Sequence, residues 1–567
     1  MFRKIKRIFK ENVYSKRIKD IDPDEIFIDS ENLPNFDVHQ FEGRIEKPIS
    51  SRTFLFAGLI FLSIIILFSA RSWFLEVKKG NEYFNRSENN RLRNTLVFSK
   101  RGVVTDRNDV KLVWNVNDEN NSEFSLRKYI SSQGFSQILG YLKYPSKDKN
   151  GFYYNETFIG KDGIEKFYDN ILAGENGERI VEVDALGKIQ SESVVRLPKD
   201  GKDIKLSIDS KLQNRIYSSI VDLSVQAGYT GGAGIMMDIN TGEILALTSY
   251  PEYNSQVLTD GNDNTLIKKY LNNKNNPFLD RAIDGLYTPG SIVKPFMAIA
   301  ALAEKVIGPY DSILSTGAIS IPNPYDPSKP SVFKDWKAHG YVDMRQALAV
   351  SSDVYFYEIG GGFESQKGLG ISNIEKYMKM FGFGTSSPNG FLKGASGTVP
   401  NPEWKKENFN GEDWRVGDTY HTSIGQYGFQ VSPIQVVRAV ASIANNGKLV
   451  TPTIISGDTS GGVEILPFDQ DYFKIVKEGM KLAIDEGTAK GLFYEDFKLG
   501  AKTGTAELGL KKEYINAWVI GFFPYDNPKY AFVLMMEKGP VHATLGGVYV
   551  ARQIFDWMKI YTPEYLK

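Results

Sequence analysis

Eighteen consecutive residues without a charge, Thr53 to Ala70 (TFLFAGLIFLSIIILFSA), constrain this chain more than any other stretch of it. Arg52 and Arg71 close the run, and Trp73, Phe74 and Leu75 extend its apolar character past Arg71. At about 1.5 Å per residue, a helix of that length spans ~27 Å, enough to cross a hydrocarbon core. A core helix rarely runs so far without a charged residue. A cleaved leader is disfavoured too, because 52 residues precede the run and no clean Ala-x-Ala site follows it. The pattern predicts a single-pass anchor over 53–75. Arg3, Lys4, Lys6, Arg7, Lys10, Lys16, Arg17 and Lys19 fall among the first twenty residues. By the positive-inside rule they put a tail, 1–52, in the cytoplasm and everything after the anchor outside it.

What remains is long enough for two folded units within the 567 residues. Net charge is zero, which gives no support to nucleic-acid binding. Cysteine is absent, so disulfides, thiol catalysis and thiolate zinc sites are excluded. His39, His339, His421 and His542 are scattered without metal-ligand spacing, and no Gly-rich phosphate loop occurs; no cofactor is expected. Residues 76–200 alternate short apolar stretches with turns. Val103-Val104-Thr105 and Val110 to Val113 flank a polar turn and read as a hairpin. Leu206-Ser207-Ile208 reads as a strand, with Ser210 capping a helix through Leu212, Ile216 and Ile220. The clearest hairpin covers 233–249, around Asn240-Thr241-Gly242-Glu243. Two later strands, 517–523 and 530–536, meet across a Pro-bounded turn, and helices are expected over 291–305, 344–360, 371–381, 433–446 and 473–486. Strands at both ends with helices between them predict an α+β domain, one antiparallel sheet covered by helices. The boundaries drawn are a β-rich region over 76–200 and a second domain over 201–567.

Three strings in that second domain carry chemistry: Ser291-Ile292-Val293-Lys294, Ser351-Ser352-Asp353 and Lys502-Thr503-Gly504-Thr505. Alone, each reads as a helix cap or an edge-strand lysine, and Ser-x-x-Lys also occurs by chance at Ser125/Lys128, Ser146/Lys149 and Ser331/Lys334. Their order and wide spacing make the case. Pro289-Gly290 puts Ser291 at a helix N-terminus, where free N–H groups favour developing negative charge. Lys294 lies on the same helix face, in reach of the hydroxyl, and burial would lower its pKa towards that of a general base. Ser351 could relay a proton to a leaving group while Asp353 holds the network. Lys502, Thr503 and Thr505 on a sheet edge could grip a substrate carboxylate, with Gly504 admitting substrate backbone. The N–H groups of Ser291 and Thr505 could form an oxyanion hole.

With those motifs in order, the chain resembles a class B penicillin-binding protein along nearly everything after the anchor. Arg101 to Asn108, Gly163 to Tyr168 and Leu172-Ala173-Gly174 look like the pedestal motifs of that family; Thr241 to Ala246, Pro289-Gly290-Ser291, Gly425-Gln426 and Lys502 to Ala506 match in the catalytic domain. The resemblance implies a monofunctional D,D-transpeptidase. Ser291 would attack the D-Ala-D-Ala carbonyl of a peptidoglycan stem peptide and release D-Ala, and β-lactams would acylate the same serine. The Ser-x-Asp form and Asp335-Trp336-Lys337-Ala338-His339-Gly340 are similar to the elongation branch, typified by penicillin-binding protein 2, rather than to the division paralogue. That branch implies a RodA-type glycosyltransferase and other elongation-complex proteins as partners. Tyr427 stands where the family usually has Gly, and Asn516-Ala517-Trp518 where His-Ala-Trp is common. A membrane-bound β-lactamase and an inactive wall-synthesis scaffold are the alternatives; the anchor and the 76–230 region speak against the first, and intact Ser291, Lys294 and Lys502 against the second.

Overall fold

The computed structural model describes residues 50–567 apart from 119–120, 150–152, 184–188, 324–325, 327 and 387–389, so the basic tail lies outside the described residues. The chain divides into two compact units, 1–91 and 92–567.

In the first unit the uncharged run forms the helix Ser51–Trp73, which widens into a π-turn over Phe74–Lys78. The Ser50 hydroxyl caps it by accepting from Thr53 N. Ser63 turns its hydroxyl onto the Leu59 carbonyl at 2.7 Å, which satisfies the one polar side chain near mid-helix from within the helix. Within Ser51–Lys78 the most apolar window of 18 residues has a mean hydropathy of 2.5 and nothing buried, and this is the one helix among the described residues long and apolar enough to cross a membrane. A polar helix, Gly80–Arg91, follows it; its lack of an apolar stripe hid it from periodicity.

The second unit begins with two small sheets. One joins Leu92–Val97, Gly177–Val183 and Ile189–Arg196; the other orders Ile204–Lys205, Val104–Thr105, Lys111–Asp118 and Asn121–Tyr129 side by side. The hairpin expected at 103–113 is present, its turn closed by Asp106 Oδ1 accepting from the N–H groups of Asn108 (2.8 Å) and Val110 (2.9 Å). Behind it lies a buried ionic node. Glu165 accepts from Arg101 Nε at 2.6 Å and Arg127 Nε at 2.7 Å, and Arg101 also reaches Asp169 at 2.6 Å. The segments 101–108 and 163–174 therefore meet in one charge cluster. Ile204–Lys205 runs parallel to Val104–Thr105, so the chain leaves this region as part of its sheet. Regular pairing ends at Lys205, earlier than the strand expected at 206–208: Leu206 makes a single bridge to Ile455, and Ser207 Oγ donates to Ile244 O at 2.8 Å.

The helix that follows, Ser210–Ala227, is capped by Asp209, whose carboxylate accepts from Lys211 N and Leu212 N; Ser210 is its first residue rather than its cap. Then come five antiparallel strands, β1 (Gly231–Asp238), β2 (Ile244–Tyr250), β3 (Gly500–Leu508), β4 (Tyr514–Phe523) and β5 (Tyr530–Pro540), in the order β2-β1-β5-β4-β3. Side-chain alternation feeds two cores. Met236, Val519 and Leu534 pack with Leu212, Ile216, Val550 and Phe555 from helices Ser210–Ala227 and Gly547–Tyr561. Ile235, Met237, Ile520 and Val533 pack with the central helices, among them Lys294–Ala303 and Pro433–Ala444. The α+β sheet under helices is as expected, and β3 is its edge. One expected helix is two: Met344–Val350 and Asp353–Gly361 are separated by Ser351, whose backbone is left-handed (φ 59°), and by Ser352, whose hydroxyl caps the second helix.

Candidate active site

The turn that carries Ser291 is wedged between two neighbours and fits only because glycines line it. Gly290, at φ +58°, donates its N–H to Gly425 O at 2.9 Å. A Cβ on Gly425 would lie 2.3 Å from Gly290 O, and one on Gly504 would lie 2.7 Å from Ile292 Cγ2 and 2.9 Å from Pro289 O. Gly504 therefore admits the chain's own turn, where substrate backbone was expected. Trp518 adds a third hold, its indole N–H donating to Thr288 O at 3.1 Å. From there Gly290–Val293 winds as a 3₁₀ turn into Lys294–Ala303.

Lys294 is fully buried, and its amine donates to Asp353 Oδ1 at 2.6 Å, Ser351 O at 2.9 Å and Ser351 Oγ at 3.3 Å. Sequence reasoning aimed this amine at Ser291; among the described residues no hydrogen bond joins the two, and the helix break at Ser351 supplies the partners instead. Lys502 donates to Ser351 Oγ from the other side at 2.8 Å, and to Thr503 O at 2.9 Å. The Ser351 hydroxyl thus sits between two lysine amines. Strand alternation explains the inward turn of Lys502: with Gly504 and Ala506 it occupies the buried side of β3, while Thr503 and Thr505 face the more open side. Burial, joined by the charge of Lys294 and opposed by Asp353, holds the Lys502 amine well below the ordinary lysine range. The Thr503 hydroxyl is hydrogen-bonded to that of Thr488, and Thr505 is exposed.

All eight expected residues, Ser291, Lys294, Ser351, Asp353, Lys502, Thr503, Gly504 and Thr505, fall on three segments that meet through Gly504 against the Ser291 turn and through the two lysines on Ser351. Thr488, Trp518 and the packing role of Gly425 escaped sequence reading, since nothing local marks a residue whose job is to touch another segment. Two departures from the family pattern are accommodated structurally. Tyr427 takes the left-handed backbone usual for glycine (φ +61°), its ring stacked on Phe409 at 5.6 Å between centroids. Asn516 is buried and accepts from Lys538 N at 3.0 Å.

This arrangement belongs with known proteins. Residues 232–557 match the penicillin-binding protein transpeptidase domain family, and residues 120–206 the penicillin-binding protein dimerisation domain. The peptidoglycan D,D-transpeptidase MrdA of Haemophilus influenzae is 30% identical over 470 residues, 76% of this chain and 69% of that protein. MrdA of Acinetobacter baumannii is 28% identical over 93% of this chain and 89% of its own length. Among solved structures, the penicillin-binding protein PBP2 of Helicobacter pylori, determined in complex with MreC, is similar at a TM-score of 0.67 and 26% identity, covering 83% of this chain and 100% of that one.

Proposed function

The chain belongs to the penicillin-binding protein transpeptidase family, and from that premise we propose how its residues divide the work of a class B, elongation-type D,D-transpeptidase. The observation that carries the reading is the convergence of Lys294 and Lys502 on Ser351 Oγ, beside a nucleophile turn held by three segments. The enzyme cross-links peptidoglycan stem peptides through a serine acyl-enzyme and is a penicillin target. Ser291 Oγ attacks the penultimate D-Ala carbonyl, and Lys294 takes the hydroxyl proton. The N–H groups of Ser291 and Thr505 hold the oxyanion; loss of one such donor in other enzymes costs about 10²–10³ in rate. Lys294 hands that proton to Ser351, whose own proton passes to the neutral Lys502 amine and from there to the departing D-Ala nitrogen, while Asp353 anchors Lys294. The hydroxyls of Thr503 and Thr505 bind the terminal carboxylate. An acceptor amine from a second stem then takes the acyl group and closes the cross-link.

The same reading divides the chain into tail 1–52, anchor 53–75, pedestal 76–200 and catalytic domain 201–567. The basic tail faces the cytoplasm and the catalytic domain the opposite side, where peptidoglycan is. A RodA-type polymerase supplies the glycan strands, and an MreC-type protein binds the chain, as MreC does the Helicobacter pylori protein.

The test incubates the full-length chain in detergent with fluorescent penicillin and follows the adduct by mass and time. A stable adduct on Ser291 is expected. Rapid loss with drug turnover would make the chain a β-lactamase, and an unlabelled folded sample would make it a scaffold. Labelling should also depend on pH through Lys502. Its neutral amine can accept the Ser351 proton and its protonated form cannot, so the rate rises with pH along a limb centred below about 10.4, the ordinary lysine value. Lys502→Arg, protonated throughout, should flatten that limb; an unchanged limb removes Lys502 from the proton path. Gly504→Ala should slow labelling at least ~10-fold and cost about 1–3 kcal/mol of stability, because its methyl overlaps Ile292 and Pro289. Wild-type labelling and melting in that variant would mean the turn has room to move.

A further inference from the structure

The corner that presents Ser351 and Asp353 does not hold itself. Ser351 is a non-glycine residue in left-handed backbone, a conformation that persists only where surrounding contacts impose it. Besides the bonds from Lys294 and Lys502, those contacts centre on one loop. The Asp335 side chain is fully buried, and its Oδ2 accepts from Ser352 Oγ at 2.8 Å, Val354 N at 3.0 Å and Ser315 Oγ at 3.3 Å. Its Oδ1 accepts from Trp336 N at 2.8 Å, and the Trp336 indole N–H donates to Val350 O at 3.2 Å. Residues 350, 352 and 354 are thus gripped, while 351 and 353 between them are left to face the two lysines. His339 Nε2 lies 3.6 Å from Asp335 Oδ1, outside hydrogen-bond range, and does not compete for the carboxylate.

Resting on the transpeptidase reading above, we propose that Asp335 is a positioning residue for catalysis: its carboxylate fixes the Ser351–Asp353 corner so that the Ser351 hydroxyl stays between Lys294 and Lys502. The alternative is a helix cap of purely structural worth, since Val354 N is one of the free donors at the start of Asp353–Gly361. Ser352 caps the same helix through a different donor, Tyr355 N, so the hold of Asp335 on Val354 N contributes to stability as well, and only its coupling to Ser351 distinguishes the two roles. What the carboxylate adds is a link from the corner to a separate loop. A group placed this way acts on the rate of acylation rather than on binding, because proton transfer is sensitive to sub-ångström placement.

A double-mutant cycle on the full-length chain in detergent separates the two roles. Single-turnover acylation by fluorescent penicillin is followed at saturating and subsaturating drug, with melting measured on the same samples. Asp335→Ala should lower the acylation rate constant about 10²-fold and leave the noncovalent binding constant within about 2-fold. Asp335→Asn, which keeps an acceptor oxygen towards Ser352 and Val354, should recover most of the loss. In a Ser351→Ala background the Asp335→Ala penalty should shrink below about 3-fold, because the hydroxyl it positions is gone. Should Asp335→Ala fail to fold, Ser352→Ala breaks the same link from the corner side and is expected to couple to Ser351 in the same way. Equal penalties in both backgrounds, or a loss confined to binding or melting, would overturn the positioning role while leaving the transpeptidase standing. An unlabelled, folded wild type would overturn both.

Discussion

Ser291→Ala will carry no penicillin adduct and will lose cross-linking by at least about 10⁴-fold, the scale seen when a serine nucleophile is removed elsewhere. The fold should survive. Ser291 is only half-buried, and the turn around it is held by Gly290 N–H to Gly425 O, by Trp518 and by the close approach of Gly504, none of which uses the serine hydroxyl. Melting should therefore stay within about 0.5 kcal/mol of wild type. The informative experiment introduces this variant as the sole copy in cells and checks that it reaches the membrane. Loss of growth or shape with normal membrane levels assigns the phenotype to chemistry; full function would show that the chain serves as a scaffold.

Glu165→Ala should have the largest effect on stability, about 3–5 kcal/mol, because it leaves Arg101 and Arg127 charged, buried and without their shared partner. Both guanidinium groups already carry one buried nitrogen with no hydrogen-bond partner, Arg101 Nη1 and Arg127 Nη2, so no spare acceptor waits nearby. By about 1.4 kcal/mol per decade, hydrogen exchange across 101–172 should accelerate by roughly 10²–10³-fold or more. Exchange unchanged in that segment would mean that the cluster relaxes and its charges find water. Glu165→Gln, which can still accept from one arginine, should fall between the two.

How much of this was legible beforehand varied with the distance over which a signal acts. The 233–249 hairpin and the strands around 518 and 533 were readable because burial on both faces makes each a short continuous apolar run bounded by turn residues. The break at Ser351 was not. Its flanks, Ala347 to Val350 and Val354 to Tyr357, are continuous in apolar character, and what interrupts them is the bond from Ser352 to Asp335, seventeen residues earlier in the chain. Lys502 shows the same limit. Its motif identified it, yet whether the amine faces solvent or Ser351 depends on which side of β3 is covered, and that is decided by helices from elsewhere. Glu165 was visible as part of a family motif, while its two arginine partners were 64 and 38 residues away.

The pairing of Ile204–Lys205 with Val104–Thr105 has a mechanical meaning. The chain does not pass from the pedestal to the catalytic sheet along a slack tether. It leaves one sheet at Lys205, bridges at Leu206 to Ile455, and by Ser207 is bonded to the β2 carbonyl of Ile244. A lever spliced this way has no slack to absorb a displacement. A protein that tilts the pedestal by leaning on it must strain β2 or break those bonds, and so delivers its push to the sheet on whose far edge Lys502 sits.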